Sequence, residues 1–294
     1  MFCHTLRCAS VRVSAKSADR EGAGEIGVPE AAIVMREHFH VLGVKVSAVN
    51  MERALQNVDA WVHRRQRRYV CVCPVYTLMS AFYDPAFREV VNGAGMVTPD
   101  GMPLVWMGRL LGREDVSRVY GPDLMLAVCE LSRRRGYRHY LYGGAEGVAS
   151  ALATTLCHRF PGLQIVGSES PPFGPLSAEE DGAVVDRIND SRADIVWVGL
   201  GSPKQDRWMA DHLGRLHAPV LIGVGAAFDF LTGRVRQAPA WMRRNGLEWL
   251  FRLVQEPRRL WRRYLVYNPL FIYYALLQLS GLKKFPTTAH GRPG

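Results

Sequence analysis

Four short strings in the chain join small residues, which let a ligand approach the backbone, to side chains that can move protons or hold phosphate. They are Thr98-Pro99-Asp100-Gly101, Tyr142-Gly143-Gly144-Ala145-Glu146-Gly147, Gly199-Leu200-Gly201-Ser202-Pro203-Lys204-Gln205-Asp206 and Gly223-Val224-Gly225-Ala226-Ala227-Phe228-Asp229. The Asp100 carboxylate can accept a proton from a substrate hydroxyl. It can equally cap the helix-like stretch that follows it. Tyr142–Gly147 has the form of a phosphate-binding turn ahead of a helix, but it is not a full Gly-x-Gly-x-x-Gly, and no acidic residue clearly closes a dinucleotide unit after it. Lys204, Gln205 and Asp206 offer more hydrogen-bonding groups than a capped turn needs, which favours function over scaffolding. Arg118-Val119-Tyr120-Gly121-Pro122-Asp123 adds a phosphate-type cation beside a tight turn. Its plainer reading is a surface arginine followed by a helix-capping aspartate.

A second source of cations lies further on. Arg234, Arg236, Arg243, Arg244, Arg252, Arg258, Arg259, Arg262 and Arg263 face only Glu248 and Glu256 as acids in that interval. Arginine in place of lysine favours bidentate phosphate contacts. Leu247, Leu250, Phe251 and Val254 fall at helical spacing and define one apolar face. Arg252, Arg259 and Arg262 share a side if Pro257 opens a second helical segment. The plain alternative is a solvated basic face, but Trp249, Trp261, Tyr264, Tyr267, Tyr273 and Tyr274 beside it favour a membrane interface. The stretch Tyr264 to Leu282 is broken by Asn268, Pro269 and Gln278, so it reads as an interfacial segment rather than a span. There is no Asp-x-Asp after a strand to hold a divalent ion, no Gly-x-x-x-x-Gly-Lys-Ser/Thr and no Gly-x-Ser-x-Gly. A departing diphosphate would therefore have to be stabilised by arginines.

These residues need a scaffold that brings distant strings to one edge. Strand-like runs at 69–73, 95–98, 139–142, 164–166, 195–198 and 220–224 alternate with helix-like stretches near 103–112, 122–135, 146–159, 178–190 and 203–213. Ser177 ahead of Glu179 and Glu180 is a capping arrangement. The alternation predicts an α/β fold: a mostly parallel, Rossmann-like sheet with helices on both faces. In such sheets ligands bind beyond the carboxyl ends of the strands, which is where the four strings fall. Residues 36–237 read as this catalytic domain, 238–283 as an Arg- and aromatic-rich helical appendage, 1–35 as a disordered extension and 284–294 as a flexible tail. The 48% hydrophobic content is enough for a real core, and the net charge of +10 points to a polyanionic partner. The six cysteines form no Cys-x-x-Cys pair and no zinc spacing. Cys71, Cys73, Cys129 and Cys157 read as small core residues, and the compartment as reducing and cytosolic.

Taken in order, Thr98–Pro103, Arg118–Asp123, Gly201–Gln205, Gly223–Asp229 and Gly246–Tyr264 resemble the blocks of the WecG/TagA/CpsF family of bacterial glycosyltransferases, over about Val41 to Tyr274. The resemblance implies metal-independent, inverting transfer of a sugar (N-acetylmannosamine, its uronic acid, or glucose) from a nucleotide diphosphate sugar, UDP-linked by preference, to a polyprenyl-diphosphate-linked sugar. No cofactor is implied. Asp100 matches the family's general base. Arg118, Tyr142, Gly143, Gly144, Gly201, Lys204, Gln205, Phe228 and Asp229 match the nucleotide-sugar pocket. Arg252, Arg259 and Arg262 match tail arginines that close over the site, and the tail itself matches a membrane-docking appendage at the cytoplasmic face of the inner membrane. Self-association is a further family trait, and nucleic acid is not an expected partner. Two departures stand out. Many members carry a functional Thr after the strand matching 69–73, where this chain has Cys73 (or Val72, one register away), with Thr77 expected to point elsewhere. The usual Glu after Lys-Gln is Asp206. The alternative reading of the whole is an NAD(P)-dependent oxidoreductase, carried by the Tyr142–Gly147 turn alone.

Overall fold

The computed structural model describes residues 38–286. Residues 1–37 and 287–294, on which the extension and most of the flexible-tail readings fall, lie outside the described residues. A hairpin of β1 (His38–Val41) and β2 (Val44–Ser47) precedes a six-stranded sheet. The sheet contains β3 (Arg68–Cys73), β4 (Met96–Pro99), β5 (Arg138–Gly143), β6 (Gln164–Glu169), β7 (Ile195–Gly199) and β8 (Val220–Gly223). Its order is β4-β3-β8-β7-β5-β6, and every neighbouring pair is parallel.

Strand alternation explains why both faces are covered. Tyr69, Cys71 and Cys73 of β3 point to one core and Val70 and Val72 to the other; Val196 and Val198 of β7 oppose Ile195 and Trp197 in the same way. The first face carries α2 (Val75–Tyr83), α3 (Pro85–Gly93), α4 (Met102–Leu110), α7 (Ala178–Asp190) and α8 (Lys204–His212). The second carries α1 (Met51–His63), α5 (Gly121–Arg135), α6 (Val148–Arg159) and α9 (Ala227–Leu231). Ser177 and Glu180 close a reciprocal capping box on α7: the Glu180 N–H donates to Ser177 Oγ at 3.2 Å and the Ser177 N–H to Glu180 Oε2 at 2.7 Å. Cys71, Cys73 and Cys129 are buried free thiols and Cys157 is half-buried.

Helices leaving adjacent strands depart to opposite faces: α2 and α8 to the first, α9 and α6 to the second. A crevice must therefore open above the carboxyl ends of β3, β8, β7 and β5. The chain then roofs that crevice. It runs through α10 (Ala240–Arg244), α11 (Glu248–Gln255), α12 (Pro257–Trp261) and a π-helical turn (Arg262–Val266), and ends in α13 (Tyr267–Leu279). Pro257 opens α12 at a first-turn position, where its missing N–H costs nothing.

The last helix is anchored rather than free. Phe271 and Ala275 are buried in the first core. Tyr267 packs on Tyr76 at 5.6 Å between ring centroids, and Tyr274 on Phe82 at 4.8 Å. Gln278 pins α13 to the hairpin: the Leu42 N–H donates to its Oε1 at 2.8 Å, and its Nε2 donates to the His40 carbonyl at 2.7 Å. Residues 240–266 thus form a strap tied down beyond its far end by α13. Among the described residues no helix is long and apolar enough to cross a membrane.

Candidate active site

The crevice is a cavity of 1110 Å3. Asp100, Gly144, Gly201, Ser202, Lys204, Gln205, Gly225, Ala226, Ala227 and Asp229 line its floor, and Arg243, Glu248, Arg252, Arg259, Arg262, Arg263 and Tyr264 line the strap side. Of the residues expected at the site, the structure brings Asp100, Arg118, Gly144, Gly201, Lys204, Gln205, Asp229, Arg252, Arg259 and Arg262 to this one cavity.

Asp100 sits directly after β4. The cap of α4 is Gly101, not Asp100, and no side chain caps that helix. The carboxylate instead accepts from the Gly121 N–H at 3.3 Å. Burial pushes the Asp100 carboxyl up to about 6; Arg118 opposes this, Glu248 reinforces it, and the Gly121 N–H and Arg252 lower it. A carboxyl poised there is ionised at neutral pH yet still basic enough to take a proton.

Arg118 is committed to the strap. Its Nε donates to the Asp100 carbonyl, its Nη1 to the Arg243 carbonyl at 3.3 Å, and its Nη2 to Glu248 Oε2. The second Glu248 oxygen accepts from the Tyr120 hydroxyl at 2.8 Å, and the Arg118 guanidinium lies 4.2 Å from the centre of the Tyr120 ring. Glu248 therefore joins the strap to the segment beside the Asp100 carboxylate. The sequence had offered it only as one of two acids among many arginines. The other, Glu256, meets Arg259 at 2.6 Å and Arg252 at 3.8 Å.

The glycine-lined half is set by close backbone approach. A Cβ on Gly143 would lie 2.6 Å from the Gly199 backbone, and Gly143 adopts a φ of 133°. A Cβ on Gly199 would strike the Phe228 ring at 2.9 Å. Gly143 and Phe228 thus shape the floor from below and do not line the cavity. Tyr142 is likewise displaced from its expected place. It is in the core, its ring stacked on Trp208 at 4.7 Å, because the strand alternation that points Leu141 to one face sends Tyr142 to the other. Gln205 is buried and accepts the Gly201 N–H at 3.2 Å, which holds the loop with its face to the cavity.

Thr77 departs from expectation in the opposite direction. α2 begins at Val75, so Thr77 falls in its first turn, on the cavity wall, donating to Ser202 Oγ at 2.9 Å. Cys73 is buried below it, while Val72 lines the cavity. Asp206 turns from the cavity into the core between Ser202 and Cys71. Burial pushes its carboxyl up to about 6, and neither oxygen makes a well-formed hydrogen bond. Glu169, which ends β6 beside the Tyr142–Gly147 turn, is held by Arg187 at 2.6 Å and by the Tyr140 hydroxyl at 3.1 Å.

A model of the glycosyl transferase WecG/TagA/CpsF family matches residues 39–284. Over 185 residues the chain is 31% identical to an N-acetylglucosaminyldiphosphoundecaprenol N-acetyl-beta-D-mannosaminyltransferase of Bacillus spizizenii, covering 63% of this chain and 70% of the relative. It is 29% identical over 186 residues to a Bacillus subtilis protein of the same name, again covering 63% and 70%. A chain matched over nearly all of its described residues, with the family's strings gathered in one cavity, belongs to the WecG/TagA/CpsF family and is a glycosyltransferase.

Proposed function

We propose that the protein transfers an N-acetylmannosamine-type sugar from a UDP-linked donor to a polyprenyl-diphosphate-linked sugar, with inversion at the anomeric carbon. The observation that carries this reading is the position of Asp100: a recessed carboxyl, poised near 6, in a cavity with a glycine-lined floor on one side and an arginine-bearing strap on the other. In the step proposed, the acceptor hydroxyl oxygen bonds to the donor's anomeric carbon from the face opposite the nucleotide. The bond from that carbon to the diphosphate oxygen breaks, and Asp100 takes the hydroxyl proton. The charge that develops on the departing UDP is met by Arg252, Arg259 and Arg262 in place of a metal ion. Gly144, Gly201, Lys204, Gln205 and Asp229 are assigned to the donor.

The relatives' names place their substrate on undecaprenyl diphosphate, so we assign this chain a lipid-linked acceptor and a peripheral position at the cytoplasmic face of the membrane. Exposed Trp261, Leu265, Ile272, Tyr273 and Leu276 next to exposed Arg258, Arg259 and Arg262 support docking to an anionic bilayer. A donor screen tests the assignment. The protein is incubated with polyprenyl-diphosphate-linked N-acetylglucosamine and, separately, the UDP derivatives of N-acetylmannosamine, its uronic acid and glucose, with and without EDTA. The expected result is a lipid product heavier by one N-acetylhexosamine, formed at an unchanged rate in EDTA. No product from any donor refutes the function, and loss of product in EDTA refutes metal independence.

A further inference from the structure

The cavity divides according to the strands that supply it. The ends of β5, β7 and β8 contribute Gly144, Gly201, Gln205 and Asp229, while the ends of β3 and β4 contribute Tyr76, Thr77 and Asp100. Arg263 belongs to the second half. Its guanidinium lies 4.0 Å from the centre of the Tyr76 ring, closer than any other cation–ring contact among the described residues. It sits in the π-helical turn, where the widened helix carries it to the cavity wall, half-buried, while its neighbours Arg258, Arg259 and Arg262 stay exposed. Its Nε is sealed from solvent and donates to nothing. Glu256, the acid nearest to it in sequence, is already engaged by Arg252 and Arg259, and among the described residues no carboxylate forms an ion pair with Arg263. Burial and the charge of Arg252 lower its proton affinity, while Asp100 is near enough to act on it in the other direction. A guanidinium desolvated in this way, without a counter-ion, is costly unless an anion joins it.

Reading the protein as a transferase to a lipid-linked acceptor, we propose that Arg263, stacked on Tyr76, is the binding site of the acceptor's own diphosphate, separate from the arginines that meet the donor's diphosphate. The acceptor hydroxyl must reach Asp100, and its diphosphate is attached to the same sugar, one ring away. The anion it carries therefore lies in the β3–β4 half of the cavity, where Arg263 is the less exposed of the two cavity-lining cations of the π turn. Two diphosphates of like charge occupy the cavity at once and repel each other. Separate cation sites, Arg263 on the base side and the remaining strap arginines on the donor side, hold them apart. A planar guanidinium fixed on a ring face offers a bidentate fork to phosphate at little cost in order. Tyr76 thus supplies the platform rather than a contact to the anion.

The test separates the two sources of diphosphate. Binding of UDP and of farnesyl-diphosphate-linked N-acetylglucosamine is measured by calorimetry on the full chain, for the wild type, Arg263→Ala, Arg263→Lys and Tyr76→Leu, with thermal unfolding as a check on folding. Arg263→Ala is expected to weaken the farnesyl ligand by about tenfold or more and to leave UDP within about twofold. Arg263→Lys keeps the charge but not the fork, and recovers part of the loss. Tyr76→Leu weakens the same ligand and spares UDP. If Arg263→Ala does not fold, the Lys variant decides by the same selectivity. An equal or larger loss for UDP overturns the proposal, as does an unchanged affinity for both ligands in a folded variant. Wild-type protein that binds UDP but no lipid-linked diphosphate overturns the acceptor reading and the proposal with it, whereas wild-type binding with a silent Arg263→Ala overturns the proposal alone.

Discussion

Asp100 was legible at the level of single residues because its neighbours are local signals. Pro99 and Gly101 mark a strand end, where a carboxylate can serve as a base or cap the next helix, and the structure gives that cap position to Gly101. Glu248 was not legible in that way. Its value comes from Arg118, 130 residues away, and no local pattern records such a pair. The pair matters to the chemistry because Glu248 is one of the groups that hold the Asp100 carboxyl up near 6. A general base works only when ionised, so the transfer rate should follow the ionised fraction of Asp100, rising with pH through about 6 and levelling above about 7. Glu248→Gln removes a charge that raises Asp100, so the inflection should move to lower pH. Steady-state kcat/KM across pH 4.5–8 checks both statements. A flat profile for the wild type, or an inflection that moves upward in Glu248→Gln, would contradict them. Tyr142 shows the converse error: a residue within a suggestive string, placed in the core by strand alternation that the string conceals.

Among the elements, the parallel strands and the helices from α4 to α8 could be read from periodicity, since each is a buried run followed by an amphipathic one. The early hairpin and the helices α1 to α3 were not anticipated. The hairpin strands, with His38, His40 and Lys45 between their apolar residues, lack the continuous apolar run that marks β4 and β8, which are equally short. The end of the chain was only half legible. Its arginines and aromatics marked a strap over the site, but they hid the fact that α13 is a core element, because exposed Ile272, Tyr273 and Leu276 alternate with buried Phe271 and Ala275. The anchoring predicts a contrast measurable by denaturant unfolding. Phe271→Ala should cost about 3–5 kcal/mol, as for an aromatic removed from a packed core, while Leu276→Ala should stay within about 0.5 kcal/mol, as for an exposed position. A loss below about 1 kcal/mol at Phe271 would show that α13 only rides on the surface. Truncation after residue 266 should for the same reason impair folding and not transfer alone.

At the scale of the whole molecule, the fold's contribution is convergence. The Asp100 carboxylate after β4, a glycine floor between β5 and β7, and a strap from beyond β8 occupy separate parts of the sequence, and parallel strand order delivers them to one cavity. The +10 charge pointed to a polyanion without saying where it binds; the structure gathers arginines over a cavity that also contains a poised carboxylate. Family membership agrees with this convergence, and the central remaining claim is that Asp100 is the base that drives transfer. The direct measurement is the rate of sugar transfer to a polyprenyl-diphosphate-linked N-acetylglucosamine by wild type and Asp100→Asn side by side, with thermal unfolding to confirm equal folding. The account predicts a fall of about 10²–10⁴-fold in kcat, with donor affinity little changed; a folded Asp100→Asn protein that transfers at close to the wild-type rate would contradict it.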